Sequence, residues 1–108
     1  MRKVKLGIIG CGIATQELHW PAIKQLDNCF EIVAVCNRTE SKAKQFSKIV
    51  GNVPYTSDYK KLLLRDDIEA VTVCVPIISN CRIVEDALKA GKHVLAEKPV
   101  VGWQVENQ

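Results

Sequence analysis

A glycine-rich turn that directly follows an apolar run limits the folds open to this chain of 108 residues. The run covers residues 4–9, and the turn reads Gly10-Cys11-Gly12. Near-continuous hydrophobicity is typical of a parallel strand that is covered on both faces. In a strand–turn–helix unit, the first glycine allows the tight turn and the second lets the backbone approach a diphosphate. The pattern therefore predicts an α/β fold with a nucleotide site after the first strand.

Strand-length and helix-period segments alternate along the rest of the chain. Further strands are predicted at residues 32–36, 70–75 and 93–96, with a weaker one around 53–56. One helix is predicted to start after Gly12, to be broken or kinked at Pro21 and to resume to Leu26. The others are predicted from Thr39 to Gly51, over 58–65 with Ser57 or Asp58 as cap, and from about Asn80 to Gly91. This alternation favours right-handed crossovers and a doubly wound parallel sheet, the Rossmann arrangement, in a single α/β domain.

Composition excludes several classes of protein. A content of 47% hydrophobic and 25% charged residues is ordinary for one soluble domain, and the net charge of +3 is too small and scattered to favour nucleic acid. The N-terminal apolar stretch contains Lys5 and predicts neither a signal peptide nor a membrane span. The five cysteines have no C-x-x-C spacing and favour a reducing, cytoplasmic setting. His19 and His93 have no partners at metal-ligand spacing, so no metal site is expected.

The end of the second predicted strand indicates the type of nucleotide. NAD sites usually carry an acidic residue there to hold both ribose hydroxyls, whereas this chain has Asn37-Arg38. An arginine fork binds a 2′-phosphate and stacks on adenine, so NADP is favoured and NAD stays possible. S-adenosylmethionine is a third possibility. In the alternative without a ligand, Asn37 only ends the strand, Arg38 is solvated, and Thr39 caps the next helix.

The glycine turn alone is a weak signal, because the third position of the fingerprint holds Thr15 in place of glycine or alanine. An ordinary turn without a ligand is the alternative. Cys11 allows one more hypothesis, because a helix N-terminus lowers the pKa of a thiol and could make this one reactive.

Two longer segments carry a resemblance to a known family. They are Ala87-Leu88-x-Ala90-Gly91-Lys92-His93-Val94-Leu95-x-Glu97-Lys98-Pro99, and Gly7-Ile8-Ile9-Gly10-Cys11-Gly12 together with His19-x-Pro21-Ala22. From about Lys3 to Pro99 the chain resembles the glucose-fructose oxidoreductase, inositol dehydrogenase and MocA family. The resemblance implies an NAD(P)-binding domain over residues 1–99, with 100–108 as a tail or the start of a further segment. It also implies a separate C-terminal substrate domain, absent here, on which homo-oligomer assembly depends.

The resemblance implies one catalytic residue, Lys98, which would orient the substrate and assist proton transfer beside the nicotinamide. The implied reaction is hydride transfer to or from a secondary alcohol or ketone of a sugar, polyol or related small molecule. The expected cofactor-binding residues are Gly10, Gly12, Ile13, Ala14, Asn37, Arg38, Pro76, Asn80, Glu97 and Lys98. Without a substrate domain, the chain is expected to bind nucleotide and to turn over little or nothing.

One segment departs from the family pattern. The family shows Pro-Asn-x-x-His where this chain reads Pro76-Ile77-Ile78-Ser79-Asn80, so two polar cofactor neighbours are replaced. Asn80 can alternatively be interpreted as a helix N-cap. The departure weakly favours a second hypothesis, a non-catalytic NAD(P)-sensing regulatory module, whereas the retained Lys98 opposes it.

Overall fold

Five parallel strands form one sheet in the computed structural model, which describes residues 2–12, 15–75 and 77–96. The strands are β1 (Val4–Ile9), β2 (Phe30–Cys36), β3 (Tyr55–Thr56), β4 (Ala70–Val73) and β5 (His93–Ala96), in the spatial order β3-β2-β1-β4-β5. All four neighbouring pairs are parallel. The chain leaves β1 in one direction across the sheet and crosses back to its other side at β4. This is the doubly wound Rossmann arrangement, and the predicted fold class is confirmed.

Helices connect the strands. A π-helical turn (Thr15–His19) leads into α1 (Trp20–Gln25), and α2 (Glu40–Ile49), α3 (Tyr59–Leu63) and α4 (Ile77–Lys89) follow. Pro21 is the second residue of α1, where a missing N–H costs nothing. Asp58 caps α3, because its Oδ1 accepts a hydrogen bond from Lys60 N at 2.9 Å. Gly51 and Gly91 follow α2 and α4 with φ of +111° and +79°, which confirms both glycine ends.

Two predicted boundaries on either side of the β4–α4 connection are wrong. The fourth strand ends at Val73, two residues before the predicted end, because the chain already turns toward α4. That helix begins at Ile77, so Asn80 is its fourth residue and cannot be the N-cap. Asn80 is instead 2% exposed. A polar residue in this context suggested a helix end, but the apolar residues before it continue the helix.

The core lies on both faces of the sheet because successive strand residues point to opposite sides. On one face, Ile8 and Val35 pack with Phe46 of α2, and Trp20 contacts Phe46 edge-on with ring centroids 6.3 Å apart. On the other face, the core comprises Ile9, Ala34, Cys36, Leu62, Leu63, Ile68, Val71, Val73, Ile83 and Ala87. The helices α2 and α4 therefore cover opposite faces of the sheet.

This topology positions a site. A crevice forms at the carboxyl ends of the strands where the strand order reverses, between β1 and β4. Within the described ranges, no helix is long and apolar enough to cross a bilayer.

Candidate cofactor cleft

A cleft of about 760 Å³ opens at the carboxyl ends of β1, β2 and β4. Four residues predicted from the sequence lie together on its wall: Gly10, Gly12, Asn37 and Arg38. The other lining residues are Ile9, Cys36, Lys42, Ser57, Asp58, Tyr59, Cys74, Val75, Ser79, Arg82 and Ile83. The structure therefore brings the glycine-rich turn and the end of β2 to one site.

The two glycines of the turn have different roles. Gly10 has φ of +100°, and a Cβ built on it would lie 2.0 Å from the carbonyl oxygen of Cys74. This position requires glycine for both reasons, independently of any ligand. A Cβ on Gly12 would meet none of the described residues within 4 Å. The missing side chain of Gly12 thus leaves open space at the cleft, as expected where a ligand approaches the backbone.

Thr15 stabilises the turn from within the protein. Its side chain is fully buried, and its Oγ1 donates a hydrogen bond to the carbonyl oxygen of Gly10. Gln16 Nε2 donates to the carbonyl oxygen of Cys11 at 3.0 Å. The departure at the third position of the fingerprint is therefore accommodated, because the hydroxyl satisfies a backbone acceptor of the turn.

Asn37 connects the end of β2 to the same turn. Its Oδ1 accepts a hydrogen bond from Cys11 N at 2.9 Å, and its Nδ2 donates to the carbonyl oxygen of Thr39 at 3.2 Å. Thr39 is the N-cap of α2 by position, but its side chain makes no capping hydrogen bond. Asn37 thus orders the turn in addition to lining the cleft, a role that sequence reasoning missed.

Charge on the cleft comes from four side chains. Arg38, Lys42 and Arg82 are cationic and exposed, and Asp58 is the one carboxylate among the described lining residues. Lys42 is not among the cofactor-binding residues expected from the sequence. It lies at the start of α2, next to the end of β2, and that position was the signal available in the sequence. Asp58 keeps its negative charge, but its Oδ1 already accepts a hydrogen bond from Lys60 N at the N-terminus of α3.

Two buried thiols lie beside the turn. Burial raises the pKa of both Cys11 and Cys36 to about 12, and the negative charge of Asp58 adds to the rise at Cys36. The Cys11 Sγ donates to the carbonyl oxygen of Cys36 at 3.3 Å. The hypothesis of a reactive thiol at Cys11 is wrong, because desolvation of the thiolate outweighs any effect of the helix N-terminus.

The structure does not describe five of the other expected site residues. Ile13, Ala14, Pro76, Glu97 and Lys98 lie outside the described residues. Asn80 is buried and is not among the lining residues, and its Oδ1 has no hydrogen-bond partner in the part of the chain that the structure describes. Over that same part, no group of three or more His, Cys, Asp or Glu side chains could hold a metal ion.

Comparison with known proteins identifies the fold family. Residues 4–107 match the family described as "Oxidoreductase family, NAD-binding Rossmann fold". The chain belongs to this family. It is the glucose-fructose oxidoreductase, inositol dehydrogenase and MocA family that the sequence resembles.

Members of the family with known structures or activities are similar over nearly the whole chain. The chain is 37% identical over 97 residues to dTDP-3,4-didehydro-2,6-dideoxy-alpha-D-glucose 3-reductase of Actinomadura kijaniata, covering 90% of this chain and 29% of the reductase. An oxidoreductase structure from Thermotoga maritima superposes with a TM-score of 0.90 at 47% identity, covering 93% and 31% of the two chains. KijD10, a 3-ketoreductase from A. kijaniata solved with NADP and TDP-benzene, gives 0.86 at 34% identity, covering 98% and 33%. The chain therefore spans about 30% of the length of these relatives.

The residues at the cleft fit the dinucleotide that the family binds. Gly12 leaves room at the turn for a diphosphate, and three cationic side chains face the cleft against one partly engaged carboxylate. A negatively charged dinucleotide is the complement of such a surface.

Proposed function

We propose that this chain is the NADP-binding domain of an oxidoreductase that transfers a hydride to or from a secondary alcohol or ketone. The substrate class is a sugar, polyol or related small molecule. The observation that carries the proposal is the cleft itself, in which an open glycine-rich turn lies next to a cationic strand end. The curated relatives include three reductases of the same sugar substrate and a dehydrogenase, so we do not propose the regulatory alternative.

Two cationic side chains favour NADP over NAD. Arg38 directly follows Asn37 at the end of β2, and Lys42 reaches the cleft from the first turns of α2. Neither makes an ion pair with any of the described residues, so both charges are available to a 2′-phosphate. An amide at Asn37, where NAD sites usually have a carboxylate, avoids repulsion of that phosphate. The NADP complex of KijD10 supports this choice.

We further propose that Lys98 acts on the substrate. An ammonium can stabilise the alkoxide that develops as hydride leaves carbon, or it can transfer a proton to or from the hydroxyl. The bound NADP supplies the hydride chemistry, and the residues of this chain bind and orient it. We propose further cofactor neighbours at Ile13, Ala14, Pro76 and Glu97. Asn80 is also proposed as a cofactor neighbour, although it is not among the described residues that line the cleft.

The remaining proposals concern the whole protein. Residues 1–99 form the nucleotide-binding unit and 100–108 a tail or the start of a further segment. On its own the chain binds nucleotide without appreciable turnover, because substrate orientation requires the second domain. The free thiols favour a cytoplasmic setting. Homo-oligomer assembly depends on the substrate domain, and neither nucleic acid nor a membrane is a partner.

Calorimetric titration of the chain with NADPH and NADH tests the cofactor proposal. We expect NADPH to bind more tightly by about tenfold or more, because each charge-assisted phosphate contact contributes about 1.5–3 kcal/mol. Lys42→Ala should lower the affinity for NADPH about tenfold and leave that for NADH nearly unchanged.

Lys48→Ala is the matched control, because Lys48 is an exposed lysine of the same helix and does not line the cleft. Tighter binding of NADH than of NADPH would contradict the choice of NADP. Equal behaviour of the Lys42 and Lys48 variants would contradict the role of Lys42.

A further inference from the structure

Arg82 faces the cleft from the opposite side of the sheet to Lys42. It lies on α4, which packs on the face that contains Ile83 and Ala87, whereas α2 covers the other face. No expectation from the sequence includes this arginine. The cleft therefore has a cationic group on each of its two walls.

Contacts with α3 show which way this part of α4 points. Tyr59, at the start of α3, donates its hydroxyl hydrogen bond to the carboxylate of Asp86. The same carboxylate oxygen lies 3.7 Å from Arg82 Nε. Ser79, Arg82 and Asp86 follow a helical spacing of three and four, so they share one stripe of α4. Because α3 also contacts β2, and Ser79 and Arg82 line the cleft together with Cys36, this stripe faces the cleft near the end of β2.

The guanidinium of Arg82 is available for a ligand. Its side chain is 74% exposed, and 3.7 Å from Nε to the carboxylate is an ion pair but exceeds hydrogen-bond distance. The structure shows no other ion pair for it within the described ranges. The guanidinium is thus largely exposed, on a residue that lines the cleft.

The base of the dinucleotide is the group that this wall can meet. In the Rossmann arrangement the adenine ribose lies at the end of the second strand. Arg38, just after β2, and Lys42, in the first turn of α2, are proposed to bind the 2′-phosphate. This leaves the wall at α4 for the base. Arginine stacks well on aromatic rings, because its guanidinium is planar, delocalised and weakly hydrated.

We propose that Arg82 stacks its guanidinium on the adenine ring of the bound dinucleotide, and that Asp86, held by Tyr59, is the residue that positions it. This inference rests on the proposed function and adds a contact that does not depend on the 2′-phosphate. Arg82 therefore contributes equally to NADPH and NADH, whereas Lys42 distinguishes them.

Calorimetric titrations with NADPH, NADH and 2′,5′-ADP test the stacking. Arg82→Ala should weaken all three ligands by a similar factor of about five, because 2′,5′-ADP carries the adenine end alone. Arg82→Lys should not restore the affinity, because an ammonium keeps the charge but lacks the plane. Lys89→Ala, on the same helix and paired with Glu85 away from the cleft, should bind like the wild type.

The role of Asp86 is tested by a double-mutant cycle. Asp86→Asn should lower affinity for both cofactors about threefold in the wild type and have no effect in the Arg82→Ala background. A purely structural role would give the same loss in both backgrounds and would overturn the positioning role.

Three other outcomes overturn the stacking contact. The first is an Arg82→Ala variant that binds all three ligands with wild-type affinity. The second is a loss of affinity confined to NADPH and 2′,5′-ADP, which would make Arg82 a phosphate ligand. The third is a loss of affinity for NADPH and NADH that spares 2′,5′-ADP. Failure of the wild-type chain to bind any of the three ligands is a separate result, which contradicts the proposed function itself.

Discussion

The side-chain oxygen of Asn37 accepts a hydrogen bond from the backbone N–H of Cys11 at 2.9 Å. The residue at the end of β2 thereby holds the glycine-rich turn that follows β1, although 26 positions separate the two in the chain. The turn that is expected to receive the diphosphate and the strand end that is expected to receive the adenine ribose are therefore coupled through one amide group.

Replacing Asn37 by aspartate separates its structural role from its electrostatic one. The carboxylate can still accept the hydrogen bond from Cys11, but it repels a 2′-phosphate. We expect Asn37→Asp to lower NADPH affinity about tenfold or more, and to preserve or raise NADH affinity. Parallel titrations measure both. Asn37→Ala, which loses the hydrogen bond, should cost about 1–2 kcal/mol of stability and weaken both cofactors. Retained preference of the aspartate variant for NADPH would contradict this account.

Alanine at the two turn glycines should have opposite consequences. Gly10→Ala places a Cβ against the backbone of Cys74 at positive φ, so it should cost at least about 3 kcal/mol and largely unfold the chain. Gly12→Ala meets open space, so its stability should stay within about 0.5 kcal/mol of the wild type. Its dinucleotide affinity should nevertheless fall about tenfold or more, since the methyl group occupies the approach of the diphosphate. Urea unfolding and titration measure the two effects, and wild-type binding by Gly12→Ala would exclude this approach.

The two buried thiols predict a loss of stability in alkaline solution. Their pKa rises from 9.0 to about 12 in the folded chain, so the unfolded state releases these protons at lower pH than the folded state. The stability they contribute is complete below pH 9 and is lost as pH rises toward 12. Urea unfolding at several pH values between 8 and 11 should show a steeper fall for the wild type than for the Cys11→Ala/Cys36→Ala double variant. Equal slopes for the two proteins would show that the thiols do not titrate differently on folding.

Phe46 is the largest fully buried side chain of the face covered by α1 and α2. Phe46→Ala should lower the free energy of unfolding by about 3–5 kcal/mol, because it removes the edge-on contact with Trp20 and leaves a cavity. Ile49→Ala on the same helix is the control, since Ile49 is 53% exposed, and it should change stability by less than about 1 kcal/mol. Similar losses in both variants would mean that α2 does not pack as described.

Most of the fold could be predicted from local sequence patterns. The β1 run, the β5 run and both glycine helix ends could be read directly, because strand hydrophobicity and positive-φ positions depend on few neighbouring residues. The start of α4 could not be predicted in this way, because the choice between Asn80 and Ile77 depends on packing against the sheet. At the site, the glycine turn and Arg38 were predicted in the cleft, where the structure places them.

Thus the sequence by itself determined the order of strands and helices, the glycine turn, and membership of an oxidoreductase family, because these depend on short segments. Only the tertiary structure decided that Lys42, Asp58 and Arg82 share one cleft, since they come from three separate connections, of which α2 covers one face of the sheet and α3 and α4 the other. It also decided that Cys11 is buried with a raised pKa and that Gly10 is required by the carbonyl of Cys74. Burial and contact between residues distant in the chain are properties of the packed sheet, and no local pattern encodes them.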